Sequence, residues 1–149
     1  MKRYLEKKHM LDTHTNLASL LKDPSLLVTQ AYLAGEWVDG DNEALFEVVN
    51  PARGEVIAKV ADISRAATAQ AIAAAEKAQK LWAARTAKER SVILRRWFDL
   101  IVEHTDDLAL ILTAEQGKPL AEAKGEISYG ASFIEFFAEE AKRVYGETI

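Results

Sequence analysis

The chain has 149 residues, 49% of them hydrophobic and 28% charged, with a formal net charge of −4. That length and balance suit one folded domain and exclude disorder throughout; the acidic sign argues against a nucleic-acid or anionic-membrane surface, since both call for clustered Lys and Arg. There is no cysteine, which excludes disulfides, thiolate metal sites and thiol catalysis by these residues, and no apolar run nears the roughly 20 residues of a bilayer span.

Met1-Lys2-Arg3 through Lys7-Lys8-His9 is basic but leads into no continuous apolar segment, so it does not read as a secretory signal. Glu6 and Asp12 speak against a transit peptide, and a cytoplasmic location is expected. Residues 1–21 are expected to form a mobile arm, charged most densely over 1–15, and residues 22–149 the folded part. His9 and His14 have no neighbours at metal-ligand spacing. Leu17 to Lys22 predicts a short helix that stops before Pro24, because a proline drives the residue ahead of it out of helical space.

Strands follow. Gln30–Leu33 and Glu36–Asp39 flank Ala34-Gly35, a tight hairpin turn with Gly35 at a positive-φ position. Ala44–Val49 and Glu55–Val60 flank Asn50-Pro51-Ala52-Arg53-Gly54, a second turn. An isolated hairpin is marginal in water, so both must lie on something else.

Helices occupy the rest. Asp62 or Ser64 can cap the first, which is alanine-rich from Ala66 to Ala78, with Ile72 its only large aliphatic before Leu81 and Trp82. Thr86 and Glu89 have the spacing of a capping box. The helix behind them is expected to turn Ile93, Trp97, Leu100 and Ile101 inward and Arg90, Arg95 and Arg96 outward. Thr105 is expected to cap a fresh helix helped by Asp106 and Asp107, with His104 complementing the end of the helix before it.

The clearest signal is Leu108–Gly146. Gly117 can take the left-handed conformation that ends a helix, and Pro119 is expected at the first position of the next. Leu120, Ala123, Ile127, Ala131, Ile134, Ala138 and Ala141 then make one helical face. Tyr129, Phe133, Phe136 and Phe137 line a neighbouring face. Together they form a stripe wider than a surface helix needs. The aromatic line reads most simply as core; alternatively it faces a partner domain or a pocket. The residues alone therefore predict an α+β module, two N-terminal β-hairpins followed by four to five helices.

No complete catalytic constellation stands out: there is no G-x-G-x-x-G, P-loop, H-E-x-x-H or G-x-S-x-G. Glu122 and Glu126 share a helical face with Lys118 and Lys124 near them, which suits a solvated ion-pair surface better than paired acid and base.

Several blocks resemble the aldehyde dehydrogenase family, and within it the bacterial succinate-semialdehyde dehydrogenases. They are Tyr32-Leu33-Ala34-Gly35-Glu36-Trp37-Val38-Asp39, Val49-Asn50-Pro51-Ala52-Arg53-Gly54-Glu55-Val56-Ile57, and the run from Glu115 through Gln116-Gly117-Lys118-Pro119 to Ile127. Ser132 to Glu140 and Tyr145 to Ile149 continue the match, which covers about Lys22 onward. The resemblance implies the N-terminal part of the α/β aldehyde dehydrogenase fold, whose cofactor domain these hairpins and helices would pack against. It implies NAD- or NADP-dependent oxidation of a semialdehyde, succinate or glutarate semialdehyde among the candidates, by a cysteine nucleophile and a glutamate base with an asparagine-based oxyanion site. Those catalytic and cofactor-binding residues are expected downstream of Ile149. By itself this segment is therefore expected to bind no cofactor and to be inactive. A homo-oligomer is implied for the complete enzyme. Two local roles follow from the resemblance: Val49 (backbone carbonyl) and Glu115 as ligands of a monovalent cation, and Gly125 and Tyr129 at the substrate entrance. A stand-alone interaction module is the other reading that the residues leave open.

Overall fold

The computed structural model describes residues 16–147 and 149. The expected arm over 1–15, with His9 and His14, lies outside them. Within the remainder of that expected arm, Asn16 caps a 3-10 turn, Leu17–Leu20, by accepting the Ala18 N–H. Leu17 and Leu21 are buried. The helix expected over Leu17–Lys22 is thus a single 3-10 turn, followed by a second at Pro24–Leu26.

Both hairpins form as their turns dictate. β1 (Ala31–Leu33) pairs antiparallel with β2 (Glu36–Val38), Leu33 opposite Glu36. Both turn residues have positive φ, Ala34 at 52° and Gly35 at 99°, which matches the twist of a two-residue hairpin. β3 (Leu45–Val49) pairs with β4 (Val56–Ala61), with an irregularity between Val48 and Val49. The Ala61 N–H donates to Thr29 O and the Asp62 N–H to Ala44 O, tying the end of β4 to the chain ahead of β1 and of β3. Gly40 is buried at this corner, and a Cβ there would collide with the carbonyl oxygens of Ala44 and Asp62.

Four α-helices follow among the described residues: α1 (Arg65–Ala83), α2 (Ala87–Glu103), α3 (Thr105–Gln116) and α4 (Leu120–Glu140). Ser64 caps α1, its side chain accepting the Ala67 N–H. The capping box of α2 is complete, with Thr86 and Glu89 serving each other. Thr105 does not cap α3 as expected. Its hydroxyl turns back to donate to the Ile101 and Val102 carbonyls, and His104 stands at the junction. Gly117 ends α3 at φ 82°. Pro119 is the cap of α4 rather than its first residue: its backbone is extended and its carbonyl accepts the first intrahelical bond, from Ala123.

The helical layer packs α4 against α2 and α3. Its contact surface is made of small residues, since Ala109, Ala123, Ala131 and Ala138 are almost fully buried and Ser91 is nearly so. The face expected for α2 holds only in part: Leu100 and Ile101 are half-buried and Arg95 and Arg96 exposed as expected. Trp97 is 55% exposed and Ile93 also lies outside, whereas Arg90, Leu94, Phe98 and Ile101 share Ser91's side and are half-buried. The core reading of the aromatic line fails in the same way: Tyr129, Phe133, Phe136 and Phe137 all stand exposed. Alanines allow two backbones to approach closely, and bulky rings on the same face would hold them apart. The two adjacent lines on α4 divide accordingly, small residues inward and rings outward. α1 has no buried residue. No helix among the described residues is long and apolar enough to cross a membrane.

Candidate functional site

A cleft of about 470 Å³ opens where the first 3-10 turn, the β3–β4 turn and the end of α3 meet. The β3–β4 turn is built by Asn50. Its side chain accepts the Ala52 N–H and its carbonyl accepts the Gly54 N–H, while its own N–H donates to Glu55 O. Pro51 then seats on Gly117, where an added Cβ would lie 2.8 Å from Pro51 Cγ. Gly117 is thus required twice, by its positive φ and by this contact.

Leu17, Leu20, Ile57 and Leu110 give the cleft apolar walls. Arg53 and Glu55 form an ion pair at its mouth, at 3.6 Å. Thr113 also lines it, and its buried Oγ1 has no hydrogen-bond partner among the described residues. Asn50 and Ala114 are in the lining too, so the chain neighbours of Val49 and Glu115 meet in one place. Glu115 is an exposed carboxylate in the last turn of α3. A carboxylate, peptide carbonyls and the negative end of a helix are the oxygen donors a singly charged cation takes. No group of three or more His, Asp or Glu suited to a metal ion occurs among the described residues.

Gly125 and Tyr129 lie elsewhere, one turn apart on the outer side of α4. Tyr129 is exposed and its ring meets Phe133 edge to face at 4.9 Å. A Cβ at Gly125 would touch nothing within 4 Å. The four candidate residues therefore fall in two places: Val49 and Glu115 each next to a residue lining the cleft, and Gly125 and Tyr129 on the outer side of α4.

Of the two glutamates, Glu126 is an ion partner at the surface. Lys118 pairs with Glu126, and Lys124 reaches Asp106 at 2.7 Å. Asp106 also takes Lys22 at 2.8 Å. Hydrogen bonds from Lys124 and Lys22 hold the Asp106 carboxyl down at about 2.

One buried carboxylate has a role the sequence does not show. Asp107 is 2% exposed. It accepts the backbone N–H groups of Lys22 and Asp23, both at 2.9 Å. The only sequence signal is its spacing from Ile111 and Ala114, which places Asp107 on the packed side of α3. Nothing in the sequence marks two peptide N–H groups 85 and 84 residues away as its partners.

Known proteins share this sequence and this geometry. The sequence profile of the aldehyde dehydrogenase family matches residues 37–149. Glutarate-semialdehyde dehydrogenase of Pseudomonas putida is 62% identical over 129 residues, 87% of this chain and 27% of that protein. An Escherichia coli NADP(+) succinate-semialdehyde dehydrogenase is 56% identical over the same shares. The crystal structure of succinate-semialdehyde dehydrogenase from Burkholderia pseudomallei superimposes with a TM-score of 0.83 at 62% identity, again over 87% of this chain and 27% of that one. The chain spans about a quarter of the length of the relatives it matches, and its fold is that of their N-terminal portion.

Proposed function

The chain belongs to the aldehyde dehydrogenase family, and we propose that it is the N-terminal segment of an NAD(P)-dependent semialdehyde dehydrogenase that oxidises succinate semialdehyde to succinate. The similarity to semialdehyde dehydrogenases over 27% of their length carries this reading, and the exposed aromatic row of α4 beside a helical layer sealed by alanines supports the segment part of it, since rings left outside a finished contact suit a further body. Glutarate semialdehyde is the second reading, favoured by the 62% identity to the Pseudomonas putida enzyme.

In this reading residues 22–149 are one incomplete part of a cofactor-binding domain. NAD or NADP supplies the hydride acceptor when bound. In this proposal the segment binds no cofactor by itself, which the lack of a glycine-rich phosphate loop in its sequence supports. The 149 residues hold no cysteine, so a thiol nucleophile has to come from outside them and the segment alone is inactive. The complete enzyme is cytoplasmic and homo-oligomeric in this proposal. Val49 and Glu115 serve it as ligands of a monovalent cation, and Gly125 and Tyr129 flank the substrate entrance.

The test is a steady-state assay of the protein as its gene encodes it, following reduction of NAD and NADP with each semialdehyde. A higher kcat/KM for succinate semialdehyde supports the first reading, and a higher value for glutarate semialdehyde supports the second. The same assay on Glu115→Ala should lose its K⁺ or Na⁺ dependence, and Tyr129→Ala should raise KM more than it lowers kcat. Turnover by residues 1–149 unaided would overturn the proposal, and a gene encoding no further residues, with no turnover, would favour a stand-alone interaction module.

A further inference from the structure

We propose that residues 17–27 form a strap that opens as one unit, with Asp107 as its latch, and that its opening unroofs the cleft beside α3. The proposal is independent of which aldehyde the protein oxidises. Between Leu17 and Leu27 the strap has no α-helix or strand, only two 3-10 turns. Its own hydrogen bonds are short-range: Ser19 to Asn16, Leu21 to Ala18, Leu26 to Asp23 and Leu27 to Pro24. Two side chains, Leu17 and Leu21, are buried.

The long-range polar tie is concentrated in one place. Asp107 accepts the consecutive Lys22 and Asp23 N–H groups with its two carboxylate oxygens, one each. A charged acceptor makes these stronger than neutral bonds. An acidic side chain that is 2% exposed is costly to bury unless such donors satisfy it, so closing the strap and burying Asp107 are one event. Lys22 Nζ adds an exposed clasp to Asp106, which Lys124 also holds. Asp23 is occupied within the strap, accepting from Ser25. His104 and Glu103 line the same recess as the latch. The consequence for the cleft follows from connectivity. Leu17 and Leu20 form part of its wall, while Leu110, Thr113 and Ala114 on α3 form the wall opposite the turn. Loss of the latch frees the first wall and leaves the second in place.

Amide hydrogen exchange on the protein as encoded by its gene tests this with Asp107→Asn, which keeps the shape and replaces one acceptor oxygen by a donor. Exchange should rise at least tenfold at Ser19, Leu26 and Leu27, which do not touch Asp107, by the same factor as at Lys22 and Asp23. Protection across α2–α4 should be unchanged. A rise confined to Lys22 and Asp23 would show two local bonds and no strap, and a rise throughout α2–α4 would show a general fold defect; either overturns the proposal. Asp106→Asn, which weakens the exposed pairs to Lys22 and Lys124 and leaves Asp107 intact, is the control: it should leave Lys22 and Asp23 protected, and equal loss there would overturn the role of Asp107. A cysteine substituted at Ala114 should react faster with a small maleimide in the Asp107→Asn background, read on its own peptide by mass spectrometry. An unchanged labelling rate would overturn the unroofing.

Discussion

Asp106 shows how a single exposed side chain can report on the closed state. With Lys124 and Lys22 both donating to it, its carboxyl titrates at about 2 instead of the ordinary 3.8. A depressed folded-state value means that the charged form favours folding. The contribution is therefore present above about pH 4 and is lost as pH falls toward about 2. Stability curves of the parent and of Asp106→Asn should differ above about pH 4 and close as pH falls through about 2; a gap undiminished at about pH 2 would show that the carboxylate acts by something other than charge. The gap should be small, because the groups are exposed and screened. The neighbouring residue marks the boundary of what the sequence disclosed at this scale. Ser64, Thr86 and Gly117 were legible because caps act within three or four residues. Asp107 was not, because its partners are backbone groups brought in by the fold. Thr105 misled, since a hydroxyl at a helix junction can serve the carbonyls behind it as readily as the N–H groups ahead.

The helices were visible as elements and ambiguous as faces. In α2 the apolar residues recur on two sides, Ile93 and Trp97 on one and Leu94 and Phe98 on the other. Periodicity alone ranks the bulkier side first. The structure covers the second side instead, against α4, whose buried residues are Ala123, Ala131 and Ala138. Arg95 strengthens this contact from its edge, bridging Glu135 at 3.0 Å and its own helix's Asp99 at 3.1 Å. Ala131→Leu should accordingly destabilise the protein by about 1–3 kcal/mol through overpacking. Ala121→Leu, on an exposed position of the same helix, should cost far less. Denaturant midpoints compare the two, and equal costs would refute close helix–helix contact as the organising feature. The hairpins were the easier elements, since Ala34-Gly35 and Asn50 to Gly54 each specify their own turn.

At the scale of the molecule, the exposed residues form a pattern: Tyr32 and Trp37 on the first hairpin, Leu45 and Phe46 on β3, Ile72 and Leu81 on α1, and the row from Tyr129 to Phe137 on α4. The matched part of this chain is 27% of each relative's length, so most of such a protein lies outside the region they share. Residues 1–149 alone should therefore bind an apolar dye strongly, and the protein as encoded by its gene should bind little of it. Absence of dye binding by a monomeric 149-residue segment would show that these side chains find cover within it. The family resemblance anticipated an additional body, while the hydrophobic pattern by itself left core and docking face indistinguishable. The arrangement of α1 has one more effect. Nothing in α1 is buried, and the chain ahead of it is joined to the later helices through space, by Asp107 holding Lys22 and Asp23 of the strap and by Pro51 of the β3–β4 turn seated on Gly117. A backbone opened within α1 keeps both of these ties, so the order in which the two halves are strung together is separable from the shape they make.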